Sequence, residues 1–259
     1  LKPLDRRSFR EFIEPETQDC FMLSNNLEVW QDGSVRPCCL YRGSTGNISD
    51  YTAIAKKQLA LTRTLNTQYS QCNACWSHER LGVPSKRQLN NSIPQLYIDG
   101  DVDRIPNTLE IKLSNLCNLA CTTCGAVSSS IWANKLRVKD SGNNFTKQGA
   151  DQRIDNLVNI IQQRGVNEVY LIGGEPTINP ESYALLDRLI ELKWNYNISV
   201  RLATNGVDIQ DFLDRYFDKF YEFHINVSLD GKDQVFEYTR WGGKWQKIVE
   251  NMKYLGQLQ

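Results

Sequence analysis

Residues 108–125 read TLEIKLSNLCNLACTTCG, and this stretch decides the fold. Its first six residues alternate between apolar and polar, which is typical of a β-strand. Three cysteines follow, Cys117, Cys121 and Cys124, with the spacing C-x3-C-x2-C. Because ligands bind at the carboxyl ends of strands in folds that alternate strands and helices, we expect a cofactor-binding loop here.

The cysteine triplet suits an iron–sulfur cluster better than a zinc ion. A [4Fe–4S] cube has four irons that each take an outer ligand, so three thiolates leave one iron open. A structural zinc site instead closes with four ligands. His78 and His224 are remote from the triplet in sequence, and no fourth cysteine lies beside it. We therefore predict a [4Fe–4S] cluster held by the three cysteines.

Strands and helices alternate from the triplet to the end of the chain. The expected elements after the first strand are a helix over 151–164, a strand over 168–172, a helix over 181–192, a strand over 198–203, a helix over 209–217, a strand over 222–229 and a helix over 245–255. Repeated strand–helix units predict an α/β fold with a parallel sheet or barrel and helices outside it.

Three more motifs stand at the ends of successive predicted strands. They are Gly173-Gly174-Glu175-Pro176, Thr204-Asn205-Gly206 and Ser228-Leu229-Asp230-Gly231, and Arg240 follows Ser228 by twelve residues. Each motif alone would be interpreted as a turn, and Arg240 alone as a surface residue. Together with the triplet, and in this order, they make the chain resemble the radical SAM superfamily over roughly residues 105–259.

That resemblance implies a partial (β/α)6 TIM-like barrel that binds S-adenosylmethionine (SAM) at the open iron. The positions that match the family's SAM-binding residues are Gly173, Gly174, Glu175, Asn205, Ser228 and Arg240. Thr123 stands where many members carry an aromatic residue against the adenine, so no stacking residue is assigned. Only four of the usual six strand–helix units are found, and we expect a barrel truncated at the C-terminus.

The first hundred residues carry five more cysteines, Cys20, Cys38, Cys39, Cys72 and Cys75. An alternating stretch over 27–30, a turn signal over 32–33 and a returning strand from 35 predict a hairpin. A helix is expected over 50–65, and the polar stretch 81–91 is interpreted as a loop. Four thiolates suit an iron–sulfur cluster or a zinc ion, and the residues leave both open.

This arrangement resembles the auxiliary cluster modules called twitch or SPASM domains. Residues Glu79, Gly82, Ser85 and Arg87 after Cys75 strengthen the likeness to twitch-type members. The resemblance implies a second iron–sulfur cluster, alternatively zinc, on Cys20, Cys38, Cys72 and Cys75. Cys38 is preferred to Cys39 because it follows Pro37 at the strand end and adjacent side chains diverge in extended chain. Trp76 would shield the cluster. We expect a small α+β module over 1–100 and the radical SAM core over 101–259.

Composition limits the other functions. The chain has 259 residues with 30 Lys+Arg and 30 Asp+Glu, so its formal net charge is zero. This balance gives no electrostatic reason to expect nucleic-acid binding. No apolar run approaches the roughly 18 residues that cross a bilayer, and nothing signals export. Clustered cysteines indicate metal ligation rather than disulfides. An oxygen-sensitive cluster would suit a reducing cytoplasm.

The predicted function is a radical SAM enzyme that cleaves SAM reductively, forms a 5′-deoxyadenosyl radical and abstracts hydrogen from a substrate. The resemblance implies a peptide or protein substrate before a small metabolite, and an electron donor such as flavodoxin or ferredoxin. The alternative is a non-catalytic zinc- or iron–sulfur-binding interaction protein that retains a radical SAM shape. The long polar stretch 128–148 is a candidate lid, and His224 is expected in the core or lining the barrel.

Overall fold

The computed structural model describes residues 20–63, 70–91, 107–138 and 147–258. The chain divides into two compact units. One consists of Leu1–Glu28 and Ser34–Asn107, and the other of Val29–Gly33 and Thr108–Gln259. Residues 1–19, the linker near Pro94 and residues 139–146 of the candidate lid lie outside the described residues.

The N-terminal part of the chain contains short helices and strands. They are α1 (Phe21–Asn25), β1 (Asn26–Val29), β2 (Ser34–Arg36), β3 (Gly46–Asn47), α2 (Tyr51–Arg63), α3 (Asn73–Arg80) and α4 (Lys86–Asn91). The predicted strands and helix 50–65 are confirmed within about two residues over the described part. The turn between β1 and β2 closes with the Gly33 N–H donating to the Trp30 carbonyl at 2.8 Å. Gly33 has φ +76°, a conformation that glycine adopts without a steric cost.

Stretch 81–91 is not all loop, because α4 occupies its second half. Ser85 accepts a hydrogen bond from the Gln88 N–H at 3.1 Å, and Gln88 accepts one from the Ser85 N–H at 3.1 Å. This reciprocal pair is a capping box, which satisfies two amides at the start of the helix. The sequence contains the S-x-x-Q spacing of a capping box, but the stretch was interpreted as a loop because its composition is polar and basic.

The second unit carries the remaining elements in strand–helix alternation. They are β4 (Thr108–Lys112), β5 (Ala120–Cys121), α5 (Ser130–Lys135), α6 (Lys147–Arg164), β6 (Glu168–Ile172), α7 (Pro180–Glu191), β7 (Ser199–Thr204), α8 (Gln210–Tyr216), β8 (Glu222–Val227), α9 (Asp233–Thr239), β9 (Arg240–Trp241) and α10 (Trp245–Leu255). Helix α7 begins at Pro180, whose missing N–H costs nothing at the first position, and Asn179 caps it.

Four of these strands form a parallel sheet in the order β4-β6-β7-β8. Leu109 pairs with Val169, and Val169 with Val200, so their side chains lie on one face, and all three are buried. Apolar side chains of α6, α7 and α8 and Ile248 of α10 are buried as well and complete the core. The predicted α/β class is confirmed, and this sheet is consistent with part of a TIM-like barrel.

The opposite face of the sheet is polar. Glu110, Tyr170, Arg201 and His224 follow one another across the four strands in register. His224 lies on the last strand of this row and is exposed, 3.1 Å from Glu222. His224 therefore does not lie in the buried core, and β8 has no further strand beside it among the described residues. Its place on the polar face of the sheet is compatible with the alternative expectation, a residue that lines the barrel. No helix in the described ranges combines the length and apolar character needed to cross a bilayer.

Candidate active site and cysteine cavity

The three cysteines of the triplet lie in the loop between β4 and α5. Cys121 ends the two-residue strand β5, which pairs with β9 so that Cys121 lies opposite Arg240. The Cys124 N–H donates to the Cys121 carbonyl at 3.1 Å and closes a tight turn. The loop follows the carboxyl end of a parallel strand, as predicted for a ligand site.

The start of α5 fixes the shape of this loop. The Ser129 hydroxyl donates to the Leu119 carbonyl at 2.7 Å, and the Trp132 indole N–H donates to the Cys121 carbonyl at 2.8 Å. The Cys117 N–H donates to the Ser130 hydroxyl at 3.2 Å. Sequence reasoning missed these contacts, although a serine that precedes a helix is a recognised capping signal.

The charge of Cys117 interacts with those of Cys121 and Cys124, so the three thiols lie near enough to one another to serve as ligands of one metal cluster. Burial, with smaller contributions from the charges of Glu175, Cys121 and Cys124, raises the pKa of Cys117 to about 11. The Leu119 N–H donates to the Cys117 sulfur at 3.4 Å, which is the kind of bond that a cluster thiolate accepts. Soft thiolates with no closing fourth ligand fit an iron–sulfur cluster with an open iron.

A site for a single metal ion has different requirements from a cluster site. Among residues 20–63, 70–91, 107–138 and 147–258, no group of three or more His, Cys, Asp or Glu side chains is arranged to hold one metal ion. Thiolates of a cubane cluster bind different irons, so this finding concerns sites for one ion.

The glycine motif after β6 packs against the triplet loop. The Gly174 N–H donates to the Ser114 carbonyl at 3.1 Å, and the Glu175 N–H donates to the Leu116 carbonyl at 2.7 Å. A Cβ on Gly174 would lie 2.7 Å from the Leu116 carbonyl carbon, closer than real side chains come. Gly173 has φ +123° as well. The glycines therefore serve the close approach of two loops.

Glu175 is almost fully buried, with 1% of its surface exposed. One carboxylate oxygen accepts from the Thr204 and Thr177 hydroxyls at 2.7 and 2.8 Å, and the other from the Asn205 N–H at 2.7 Å. Burial raises the pKa of Glu175, and the hydrogen bonds, led by that from Asn205, oppose the rise. Glu175 ties the ends of β6 and β7 together, and its contact with an ammonium group stays a prediction.

Side-chain hydrogen bonds connect the Glu175 network to the cysteine triplet. The Asn205 side-chain amide donates to Asn118 at 2.7 Å, and the Asn118 amide donates to Asp208 at 2.7 Å. Asn118 directly follows Cys117 in the sequence. Neither Asn118 nor Asp208 was predicted, because a lone polar residue in a loop carries no pattern. The end of β7 therefore fixes the start of the triplet loop.

Arg240 and Ser228 occupy different surroundings. Arg240 is buried, with its Nε 3.0 Å from an Asp230 carboxylate oxygen and its Nη1 3.8 Å from the Cys121 sulfur. Ser228 is exposed, and its N–H donates to the Thr204 carbonyl at 2.9 Å. The structure thus brings Arg240 to the triplet and leaves Ser228 at the solvent-facing end of β8.

Residues 111–259 match the family model described as the radical SAM superfamily. The match covers more than half of the chain and includes the triplet, the glycine motif and Arg240. This chain belongs to the radical SAM superfamily.

Several radical SAM relatives are similar to the chain at 26% identity. A protein named probable GTP 3′,8-cyclase from Archaeoglobus fulgidus matches over 58% of this chain and 45% of its own length. Mycofactocin maturase MftC of Mycobacterium tuberculosis matches over 58% of this chain and 34% of its own. The mitochondrial GTP 3′,8-cyclase of Arabidopsis thaliana matches over 66% and 40%. The chain spans less than half the length of these relatives.

Replacing Glu175 with glutamine should lower the free energy of unfolding of this radical SAM core by about 1–3 kcal/mol, because an amide NH2 would face a buried donor. Chemical denaturation monitored by circular dichroism measures the loss. Glu191→Gln is the matched control, since the Glu191 side chain is 65% exposed and pairs only across the surface with Arg188. Equal losses of stability in the two variants would contradict a stabilising connection between β6 and β7 through Glu175.

The N-terminal unit contains a second cysteine cavity outside the matched family region. It holds about 400 Å³ of space between its atoms, counting the part open to solvent. Four of the lining residues are cysteines, Cys20, Cys38, Cys72 and Cys75. Burial, together with the charge of Cys38, raises the pKa of Cys20 to about 12. Four sequence-predicted ligands therefore line one cavity.

Cys39 does not line this cavity. It is exposed, and the Lys86 amine lies 3.1 Å from its sulfur. Cys38, by contrast, is partly buried, and burial raises its pKa to about 11. Two adjacent cysteines thus point to different environments, as expected where neighbouring side chains diverge.

The residues after Cys75 form a network on one side of the cavity. Arg87 donates to both oxygens of Glu79, from Nε at 3.0 Å and Nη2 at 2.8 Å, and the Ser85 hydroxyl donates to Glu79 at 2.6 Å. The Arg87 guanidinium also lies over the Trp76 ring, 4.7 Å from its centroid. Gly82, with φ +68°, ends α3 and lets the chain return. Of the motif residues, Arg87 therefore lines the cavity, and Glu79 and Ser85 hold it in place.

Proposed function

We propose that this radical SAM chain binds a [4Fe–4S] cluster through Cys117, Cys121 and Cys124 and cleaves SAM reductively. The observation that carries the proposal is the docking of the triplet loop on the glycine motif, through Gly174 and Glu175. This docking supports a three-thiolate site beside backbone groups at the ends of neighbouring strands. The family match over 111–259 supports it.

The cluster, when bound, supplies one electron that breaks a carbon–sulfur bond of SAM and yields methionine and a 5′-deoxyadenosyl radical. The protein's task is to position SAM and exclude water. Gly173 and Gly174 keep the site narrow, and Arg240 offers a guanidinium for the SAM carboxylate. Asn205 and Ser228 complete the proposed contacts. Arg240 already pairs with Asp230, so SAM would compete with or extend that pair.

The substrate is proposed to be a peptide or protein. The resemblance of the N-terminal cysteines to twitch and SPASM modules supports this, and one relative is named a mycofactocin maturase. Other relatives are named for GTP, so a small metabolite is the second candidate. Hydrogen abstraction converts the 5′-deoxyadenosyl radical to 5′-deoxyadenosine and does not by itself regenerate SAM, so the amount of SAM consumed per product distinguishes catalytic from stoichiometric use.

The N-terminal module, proposed to span 1–100, would hold an auxiliary iron–sulfur cluster in the cavity of Cys20, Cys38, Cys72 and Cys75. An apolar, sulfur-lined cavity suits a cluster that must be shielded from water. The electron donor would be a small redox protein such as flavodoxin or ferredoxin. Oxygen-sensitive clusters favour a reducing cytoplasm as the location.

Formation of 5′-deoxyadenosine tests the function. Anaerobically purified protein, incubated with SAM and dithionite, should produce it in a time-dependent way that chromatography measures. The reduced cluster should show an electron paramagnetic resonance (EPR) signal that shifts when SAM is added. Zinc without iron at the triplet, or an EPR signal that SAM leaves unchanged, would instead support a non-catalytic binding protein.

Replacing Cys20 and Cys72 with alanine should remove the iron of the auxiliary cluster, about two or four atoms per chain for a two-iron or a four-iron cluster, and leave 5′-deoxyadenosine formation at the triplet measurable. The reason is that two of four ligands are lost in one cavity while the triplet is unchanged. Iron, sulfide and zinc assays on anaerobically reconstituted protein give the result. Cys39→Ala is the control and should keep the full iron content, because the Cys39 thiol is exposed. Loss of zinc alone would identify the module as a zinc site.

A further inference from the structure

The cysteine cavity of the N-terminal unit contains two side chains that carry N–H donors besides its sulfur and apolar lining. They are the Trp76 indole and the Arg87 guanidinium. Groups that donate hydrogen bonds beside a metal–sulfur site tune its redox properties. The two donors differ in whether they are available to a group bound among the four cysteines.

The Arg87 guanidinium already has an acceptor, the Glu79 carboxylate. Its Nε and Nη2 both donate to Glu79, in a two-pronged ion pair with 8% of the Arg87 side chain exposed. The Glu79 carboxylate neutralises the guanidinium charge, and the Ser85 hydroxyl holds that carboxylate in turn. The flat face of Arg87 rests on the Trp76 ring and so fixes the orientation of the indole.

Trp76 is different. The residue is 8% exposed, and its Nε1 has no accessible surface and no hydrogen-bond partner within the described part of the chain. An indole N–H can only donate, and buried tryptophans normally find an acceptor. Leaving such a donor without one carries a penalty of about 1–3 kcal/mol. The sulfurs of four thiolates and of an inorganic cluster are negatively charged acceptors of the required kind.

We propose that the Trp76 indole N–H donates a hydrogen bond to a sulfur of the cluster held by Cys20, Cys38, Cys72 and Cys75 and thereby raises its reduction potential. This inference rests on the proposed auxiliary cluster. A hydrogen bond to sulfur withdraws electron density and stabilises the reduced cluster, which carries one more negative charge than the oxidised one. Trp76 is a positioning and tuning residue and has no part in SAM cleavage.

Trp76→Phe tests the proposal, because phenylalanine keeps an aromatic ring under Arg87 and removes the donor. The measurement is an EPR-monitored redox titration of anaerobically reconstituted protein in a Cys121→Ala background, where the auxiliary cluster is titrated alone. At the midpoint potential of the parent, the ratio of reduced to oxidised cluster should fall about fivefold in the variant. Trp245→Phe, in the second unit against Phe236, is the matched control and should leave the ratio unchanged.

The outcomes separate this inference from the function on which it rests. If Trp76→Phe keeps the iron content of its parent and shows an unchanged midpoint potential, the proposed hydrogen bond is wrong and the auxiliary cluster is still supported. Zinc in place of iron at the four cysteines overturns both. A second measurement needs no Trp76 variant: protein labelled with ¹⁵N in its indole rings should show a ¹⁵N coupling in pulsed EPR of the reduced auxiliary cluster. Absence of any such coupling overturns the proposal.

Discussion

Replacing Cys121 with alanine is expected to reduce 5′-deoxyadenosine formation by more than about 100-fold, because residues that merely support a metal ligand already contribute about 10–100-fold. Cys121 is buried at the end of β5, opposite Arg240 of β9, and its sulfur lies 3.8 Å from a guanidinium nitrogen of Arg240. Its loss would leave two thiolates, too few to retain a cube with one open iron. Chromatography of reactions with SAM and dithionite measures the effect.

Cys39→Ala is the matched control for this experiment. It removes a thiol of the same chemistry from an exposed position beside Lys86, and its activity should stay within about twofold of the parent, since surface substitutions usually have small effects. Iron analysis should show that Cys121→Ala loses the triplet cluster and keeps the auxiliary one. Undiminished activity in Cys121→Ala would contradict the assignment of the triplet.

Gly174→Ala should produce the largest loss of stability, about 3 kcal/mol in the free energy of unfolding. The new Cβ would lie 2.7 Å from the carbonyl carbon of Leu116, which is backbone and cannot rotate away. The two loops would have to separate, and the hydrogen bond from the Glu175 N–H to the Leu116 carbonyl would be lost. Iron bound at the triplet should fall together with stability, because Leu116 immediately precedes Cys117.

Gly125→Ala provides the control within the same loop. Gly125 directly follows Cys124, and a Cβ there would meet no atom within 4 Å. Its stability should therefore change by less than about 1 kcal/mol. Denaturant unfolding followed by fluorescence, with iron analysis of each variant, compares the two. Similar losses at Gly174 and Gly125 would show that glycine flexibility, rather than close packing, matters here.

The strands and helices of the second unit were predictable because their patterns are local. Stretch 168–172 was predicted with the bounds of β6, and 245–255 with those of α10. Apolar spacing reports which face of an element is buried, and a core of this size needs those faces covered. The short helices α5 and α9 were missed. The strands β5 and β9 were missed as well, since two-residue strands exist only through their pairing with each other.

Several predictions were decided by neighbours that are distant in sequence. His224 was expected in the core or lining the barrel, and it lies outside the buried core, exposed on the polar face of the last described strand. Glu175 was expected at a ligand, and it is enclosed by donors from Thr177, Thr204 and Asn205. No local pattern encodes such partners, because a carboxylate in a turn looks the same whether it faces water or three buried donors.

The sequence by itself determined the chemistry of this protein: thiolates at C-x3-C-x2-C, glycines at a strand end, and a second set of cysteines, each identified by residue type and spacing. The tertiary structure alone decided how these parts meet. It packs Gly174 against the triplet loop, brings Arg240 beside Cys121, and lines one cavity with cysteines as far apart in sequence as Cys20 and Cys75. The physical reason is that spacing reports contacts along one element, whereas packing and burial depend on which elements the whole core brings together.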